Sequence, residues 1–229
     1  MSTARPVLDL VIFDCDGVLV DSEVIVAAAM AEALTEQGLV TTADEVMERY
    51  IGRSASSARP LIEKALGRAL PDSFYAALRA RTYATFEREL APVAGVVEVL
   101  GVLRTPCCVA SSGTPEKIRF TLGRTGLLDR FVGRIFSGAD VARGKPAPDL
   151  FLHAARSLGA DPARCAVVED TAVGVEAARA AGMLALGYAG RTRASRLAAA
   201  GARTFATMRQ LPALLAEAGA VLAGSAAPD

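Results

Sequence analysis

Short apolar runs that alternate with helical patterns constrain the fold of this chain more than any other feature of its sequence. Such runs, rich in Val and other apolar residues and ended by polar ones, are typical of strands buried on both faces of a sheet. Their alternation with helices predicts an α/β fold in which a parallel sheet carries helices on both faces. The predicted strands cover residues 8–13, 107–110, 131–136, 165–168 and 184–188.

The segment between the first two predicted strands differs, because its signals are almost entirely helical. Ser22 is placed to cap a first helix, and Thr42 and Glu45 have the spacing of a capping box for a second. Pro60 falls in the first turn of a third helix, a position that proline tolerates. The four predicted helices run from Ser22 to about Gln37, from Thr42 towards Tyr50, from near Ser57 to Gly67 and from Pro71 to before Pro92.

These patterns predict two domains. Residues 1–20 and 92–229 form a Rossmann-like α/β core domain, and residues 21–91 form an inserted four-helix cap domain. In the Arg- and Ala-rich tail after residue 189, we predict one amphipathic helix over residues 208–218 beyond the last strand.

Charge and composition argue against several classes of protein. Lys+Arg and Asp+Glu both number 25, so no basic excess indicates a nucleic-acid or anionic-membrane partner. No apolar stretch reaches the roughly 18 uncharged residues of a membrane span, and Asp9 interrupts the N-terminal run that a signal peptide requires. The four cysteines contain no Cys-x-x-Cys pair and are predicted to be buried free thiols. We therefore expect a cytoplasmic protein without a nucleic-acid or membrane partner; the oligomeric state stays open, with a monomer favoured.

Polar residues stand at the carboxyl ends of the predicted strands, where doubly wound sheets bind their ligands. Because parallel strands end at the same edge of a sheet, we expect these side chains to converge on one crevice. They comprise four carboxylates, two hydroxyls and one ammonium. In chain order the candidates are Asp14, Asp16, Ser111, Ser112, Lys145, Glu169 and Asp170.

This set of side chains favours a metal-assisted phosphate chemistry. Several carboxylates at close range repel one another and require a cation or protons to compensate. Oxygen ligands suit a hard cation such as Mg²⁺ rather than Zn²⁺, and Mg²⁺ commonly binds one or two carboxylates together with a substrate phosphate. Ser111, Lys145 and backbone amides can hold the remaining phosphate oxygens, and a carboxylate beside such a phosphate is a candidate nucleophile.

The same residues resemble the four motifs of the haloacid dehalogenase superfamily. The motifs are Asp14-x-Asp16-Gly17-Val18, Ser111, Lys145-Pro146 and Glu169-Asp170, and the resemblance extends over about residues 8–190. Two longer segments, Gly-Lys-Pro-Ala-Pro-Asp at 144–149 and Val-Glu-Asp-Thr-Ala-x-Gly at 168–174, are similar to the beta-phosphoglucomutase-like branch, which has a helical cap after its first motif. Segments 107–113 and 136–138 are similar to the sugar-phosphate phosphatases of that branch, including 6-phosphogluconate phosphatases.

The resemblance implies a role for each carboxylate. Asp14 would be the nucleophile that forms an aspartyl-phosphate, and Asp16 would be the general acid and then the general base. Mg²⁺ would be bound by Asp14, by the backbone carbonyl of Asp16 and by Asp170, with Glu169 helping through water.

The resemblance also implies how the substrate is held. Ser111, the backbone amide of Ser112 and Lys145 would bind the phosphoryl group, and Lys145 would also neutralise charge in the transition state. The cap would select the substrate, with Arg53 and then Arg79 as candidate contacts to a carboxylate, hydroxyl or second phosphate.

The function implied is that of a Mg²⁺-dependent phosphatase acting on a small phosphorylated metabolite, a sugar or sugar-acid phosphate. Asp16 favours phosphate chemistry, because dehalogenases of the superfamily usually have another residue there. Two alternatives stay open: a hexose-phosphate mutase and a non-catalytic binding or regulatory module on the same fold. Val26 disfavours the mutase, because the mutase branch has a histidine at this position and valine cannot transfer a proton.

Overall fold

The structure, a computed structural model, describes residues 8–51 and 55–221 and divides into two compact units. One unit contains the chain up to Val20 and again from Pro92 onward, and the other is Asp21–Ala91. Within the described ranges, no helix is long and apolar enough to cross a membrane. All four cysteines are buried and free, as predicted.

A six-stranded parallel sheet forms the centre of the first unit, within the residues that the structure describes. The strand order is β3-β2-β1-β4-β5-β6, so that β1 lies between β2 and β4. In this register Ile12 of β1 pairs with Cys108 on one side and with Val167 on the other. The strands are β1 (Leu10–Phe13), β2 (Cys107–Ser111), β3 (Ile135–Ser137), β4 (Cys165–Glu169), β5 (Leu184–Tyr188) and β6 (Arg203–Phe205).

Helices cover both faces of this sheet. Leu10 and Ile12 point into an apolar cluster to which α7 (Asp149–Ser157) and α8 (Ala172–Ala180) contribute, and Val11 and Phe13, on the opposite face of β1, are equally buried. The α/β fold class with a Rossmann-like sheet is therefore confirmed. The remaining α-helices described in this unit are α5 (Val96–Val102), α6 (Pro115–Arg124), α9 (Ala194–Ala200) and α10 (Leu211–Glu217).

The position of β1 determines where a ligand can bind. The chain leaves β1 to build β2 and β3 on one side of it and then β4, β5 and β6 on the other side. Loops at the carboxyl ends of strands diverge where the direction of winding reverses, and this opens a crevice at that edge of the sheet. The carboxyl end of β1 therefore lies at the switch point of the fold.

The second unit consists of four helices in its described residues. They are α1 (Ser22–Glu36), α2 (Ala43–Arg49), α3 (Ala55–Leu66) and α4 (Phe74–Glu89). Their apolar core includes Leu34, Val46 and Ile62, none of which is exposed. The predicted capping box is present, since the Glu45 amide donates to Thr42 Oγ1 at 3.2 Å and the Thr42 amide donates to Glu45 Oε2 at 2.9 Å.

Several predicted element boundaries are wrong. The fourth helix of the second unit begins at Phe74 rather than at Pro71. Of the run 131–136 only Ile135 and Phe136 lie in a strand, which ends at Ser137, because Leu128–Phe131 forms a 3-10 helix and Gly133 then adopts a positive φ of 73°. Ser22 does not cap α1: it is the first helical residue, is buried, and follows the N-cap position Asp21. Pro60 lies inside α3 rather than in its first turn.

Two elements after β5 were not predicted, and the helix predicted over residues 208–218 is shorter in the structure. The α9 helix is mostly alanine and buries a single large apolar side chain, Leu197, while β6 has three residues, so neither shows a periodic apolar pattern. The helix predicted over 208–218 is divided, because a 3-10 helix at Met208–Gln210 precedes α10, where Pro212 lies in the first turn.

Candidate active site

Asp14 follows β1 directly, at the switch point of the sheet. Its amide donates to the Val168 carbonyl at 3.0 Å, which continues the β1–β4 ladder one residue past the strand and fixes where the side chain starts. The residue is only 7% exposed. Burial raises the pKa of Asp14 to about 7; the Lys145 ammonium opposes this shift, and the Glu169 carboxylate adds to it. This carboxyl is thus confined to a site where its charge must be compensated by neighbouring groups.

Lys145 supplies part of that compensation. Its Nζ donates to Asp14 Oδ1 at 2.7 Å, to Glu169 Oε1 at 2.6 Å and to the Ala110 carbonyl at 3.2 Å, so it joins the carboxyl ends of β1, β4 and β2. The same ammonium lies 4.9 Å from the ring centroid of Phe151, and the side chain is 5% exposed. Burial by itself would lower the pKa of Lys145, but the two carboxylates outweigh it and raise that pKa, which keeps the ammonium charged.

Glu169 is the last residue of β4 and is held from two sides. Lys145 engages Oε1, while Oε2 accepts from the Thr171 amide at 3.0 Å and from the Thr171 hydroxyl at 2.8 Å. Gly174, in the first turn of α8, makes room for this carboxylate, because a Cβ at that position would overlap it. Both oxygens of Glu169 are therefore already engaged by protein donors.

Three buried carboxylates form a group that can hold a metal ion. Asp14, Glu169 and Asp170 each offer an oxygen within 4.8 Å of the others. Gly17 has a positive φ of 75°, and a Cβ there would overlap the Asp170 carboxylate, so glycine is what allows this close approach. Three carboxylates against the single ammonium of Lys145 leave an excess of negative charge, and an all-oxygen donor set fits a hard divalent cation.

Asp16 lies beside this group, and its carboxylate belongs to a different ion pair. Lys117 Nζ donates to Asp16 Oδ2 at 2.8 Å, and the two side chains are 30% and 24% exposed. Sequence reasoning missed Lys117. The signal that could have found it is Thr114-Pro115, a helix start that places Lys117 in the first turn of α6, directly after β2 and at the same edge of the sheet.

The two serines lie at the carboxyl end of β2, as predicted. Ser111 is the buried last residue of the strand, and its Oγ accepts from the Gly113 amide at 3.2 Å. The Ser137 hydroxyl donates to the Gly113 carbonyl at 2.6 Å and ties this turn to the end of β3. Ser112 is exposed. The structure therefore brings a hydroxyl and a solvent-facing turn to the edge that carries Asp14 and Lys145.

The candidate specificity residues belong to the helical unit. Arg53 lies outside the described residues. Arg79 is exposed on α4, and its guanidinium carbon lies 5.4 Å from the centroid of the Tyr83 ring. Val26 is on α1. A role for either arginine in substrate selection stays a prediction.

Comparison with known proteins identifies the family to which the chain belongs. A model of the haloacid dehalogenase-like hydrolases matches residues 8–182. The 6-phosphogluconate phosphatase of Escherichia coli K12 is 30% identical over 208 residues, which cover 90% of this chain and 94% of that protein. The validoxylamine A 7'-phosphate phosphatase of Streptomyces hygroscopicus subsp. limoneus is 31% identical over 182 residues, covering 77% of this chain and 83% of that protein.

Solved structures agree in fold over almost the whole chain. A haloacid dehalogenase-like protein of unknown function from Agrobacterium tumefaciens C58 superposes with a TM-score of 0.85 at 37% identity, covering 91% of this chain and 98% of its own. A family hydrolase from Deinococcus radiodurans R1, crystallised with bound phosphate and sodium, gives a TM-score of 0.83 at 31% identity, covering 94% and 98%. The chain therefore belongs to the haloacid dehalogenase-like hydrolases, the family that its four motifs predicted.

Proposed function

We propose that this hydrolase is a Mg²⁺-dependent phosphatase that cleaves a small sugar or sugar-acid phosphate through an aspartyl-phosphate on Asp14. The observation that carries the proposal is the Asp14 carboxylate at the end of the central strand, held by a buried ammonium 2.7 Å away and grouped with two further buried carboxylates. The phosphatase names of the two curated relatives and the phosphate bound in the Deinococcus structure support this chemistry.

In the first half-reaction Asp14 is the nucleophile. A carboxylate oxygen of Asp14 forms a bond to phosphorus while the phosphorus–oxygen bond to the sugar breaks. The carboxyl group of Asp16 starts this step protonated and donates its proton to the departing alkoxide. The Lys145 ammonium reduces the repulsion between this carboxylate and the phosphate. The Ser111 hydroxyl and the Ser112 amide hold the non-bridging oxygens.

In the second half-reaction Asp16 is the base. It takes a proton from a water molecule, whose oxygen bonds to phosphorus while the bond between phosphorus and Asp14 breaks. Inorganic phosphate leaves, and Asp14 and Asp16 return to their starting states. The sum is one phosphate monoester and one water converted to one alcohol and one phosphate.

Mg²⁺ would be held by the carboxylates of Asp14 and Asp170 and by the backbone carbonyl of Asp16. Glu169 fits a supporting role through water, because its two oxygens already accept hydrogen bonds from Lys145 and Thr171. When bound, the ion supplies positive charge that screens the phosphate from the carboxylates.

We further propose that the helical unit, Asp21–Ala91, is the cap that selects the substrate. Arg53 and Arg79 are the candidates to contact a carboxylate, a hydroxyl or a second phosphate of the substrate, since guanidinium groups bind such oxygens in a bidentate manner. The exposed position of Arg79 on α4 leaves its guanidinium accessible to a ligand.

A hexose-phosphate mutase is the second candidate. A putative beta-phosphoglucomutase from Thermotoga maritima has a TM-score of 0.77 and 27% identity to this chain. Val26 opposes this assignment for the reason given above, since its side chain can neither donate nor accept a proton. Conversion of β-glucose 1-phosphate without net release of phosphate would favour the mutase.

The nucleophile is tested by Asp14→Asn. The amide keeps the volume of the carboxyl group but cannot form the phosphoryl intermediate. We therefore expect phosphate release to fall at least about 1000-fold. Asp129→Asn, a change at an exposed carboxylate of the same unit, should leave the rate unchanged. The assay is release of inorganic phosphate from 6-phosphogluconate, hexose phosphates, 2-phosphoglycolate and a nucleotide. Near-wild-type rates in folded Asp14→Asn would contradict the assignment.

The metal site is tested by Gly17→Ala. The new Cβ would overlap the Asp170 carboxylate, so we expect the Mg²⁺ concentration for half-maximal activity to rise about tenfold or more. Gly126→Ala is the matched control, because Gly126 has a similar φ of +71° but nothing within 4 Å of its Cβ position. Direct Mg²⁺ titration by calorimetry gives a second readout. Equal Mg²⁺ affinity in the two variants, or full wild-type turnover after complete chelation, would contradict the metal assignment.

The cap proposal is tested by Arg53→Met and Arg79→Met. Loss of a guanidinium that binds an anionic group of the substrate should raise KM about tenfold or more for substrates that carry that group, with a smaller change for those that lack it. Arg88→Met, at an exposed position on the same helix as Arg79, is the control. If both cap variants keep the wild-type KM across the whole panel, neither arginine selects the substrate.

A further inference from the structure

We propose that Lys117 is a positioning residue for this reaction: its ammonium holds the Asp16 carboxylate in place for proton transfer and contributes to kcat without binding the substrate. The inference rests on the proposed function, in which Asp16 donates a proton to the leaving group and then takes one from the attacking water. It adds a residue that lies outside the four motifs and comes from α6 rather than from the end of a strand.

The contact itself is short and partly shielded from water. Lys117 Nζ and Asp16 Oδ2 are 2.8 Å apart, the distance of a charge-assisted hydrogen bond. Burial alone would lower the pKa of Lys117, but the Asp16 carboxylate outweighs it and raises that pKa, so the lysine stays an ammonium. A charged donor at this distance restricts the rotation of the Asp16 side chain.

The helix that carries Lys117 is fixed to the same loop by a second contact. Thr121 lies four residues further along α6, on the same face of the helix, and its Oγ1 is 3.7 Å from Sγ of Cys15. The start of α6 is set by Thr114, whose hydroxyl oxygen accepts from the Lys117 amide at 3.3 Å. One face of α6 therefore contacts two consecutive residues of the loop, Cys15 and Asp16.

The two lysines of the site have different partners. Among the hydrogen bonds of the described residues, Lys145 donates to Asp14, Glu169 and the Ala110 carbonyl, whereas Lys117 donates to Asp16. The ammonium of Lys145 therefore acts on the nucleophile, and the ammonium of Lys117 acts on the residue that transfers protons. The two ammonium groups thus have no hydrogen-bonded carboxylate in common among the described contacts.

The expected size of the effect follows from geometry. Misplacement of a reacting group by about 1 Å can cost on the order of 100-fold in rate. Loss of the Lys117 ammonium removes one contact that orients the Asp16 carboxylate towards the leaving group and the attacking water. We therefore expect kcat to fall about 10- to 100-fold, with KM unchanged.

The first test is Lys117→Met, which keeps the length of the side chain and removes its charge. We expect the fall in kcat described above, unchanged KM and partial recovery of kcat in Lys117→Arg. Arg119→Met, an exposed cation two residues further along α6, should match the wild type. Circular dichroism and thermal melting check each fold, and Lys117→Gln replaces the methionine variant if that variant does not fold. A raised KM with unchanged kcat would overturn the proposal, because it would make Lys117 a substrate-binding residue.

The second test is a double-mutant cycle with Asp16→Asn, measured as single-turnover phosphate release with enzyme in excess. If Lys117 acts only through Asp16, adding Lys117→Met to Asp16→Asn has no further effect on the rate. An additional loss equal to that in the wild-type background would overturn the inference. If Asp14→Asn abolishes phosphate release and Asp16→Asn leaves only a slow residual rate while Lys117→Met is fully active, this inference fails and the proposed function stands. Full activity in both Asp variants would contradict the proposed function itself.

Discussion

The structure of the site depends on a buried ammonium among carboxylates. Lys145 contacts Asp14 and Glu169 at 2.7 Å and 2.6 Å and the Ala110 carbonyl at 3.2 Å, at the ends of three adjacent strands. Burying charged groups is costly unless they are paired and hydrogen-bonded, so loss of any one partner would leave a buried charge without compensation. The order of the sheet, with β1 between β2 and β4, is what brings the three strand ends within reach of one side chain.

The same site requires backbone to approach side chains more closely than most residues allow. Gly17 and Gly174 each occupy a position where a Cβ would overlap a carboxylate, that of Asp170 in the first case and that of Glu169 in the second. The negative charge of these carboxylates exceeds the positive charge of the Lys145 ammonium. The excess favours a bound cation, which can also bind an anionic substrate. Lys117 adds positive charge next to Asp16, the residue proposed to transfer protons.

The sequence predicts the sheet and most of the site because these depend on local patterns. Buried strands appear as short apolar runs, and the parallel arrangement places the residues after them at one edge. Lys117 could not be found in this way, because its partner Asp16 lies 101 residues earlier in the chain. No local pattern in the sequence links the two residues. The α9 helix and β6 were missed for a different reason: alanine-rich helices and three-residue strands have too little apolar contrast for periodicity to detect.

Direct detection of a phosphoryl group on Asp14 tests the central claim. In the Asp16→Asn variant the second half-reaction lacks its base, while a substrate with a good leaving group, such as p-nitrophenyl phosphate, does not need the acid of the first. With such a substrate the intermediate should form and persist long enough to be quenched in acid. After brief exposure to a phosphorylated substrate with Mg²⁺, mass spectrometry should find one added phosphoryl group on the peptide that contains Asp14, and none when Asp14 is also changed to Asn. Release of phosphate by the wild-type enzyme, with no phosphorylated Asp14 at any time in either protein, would contradict the account.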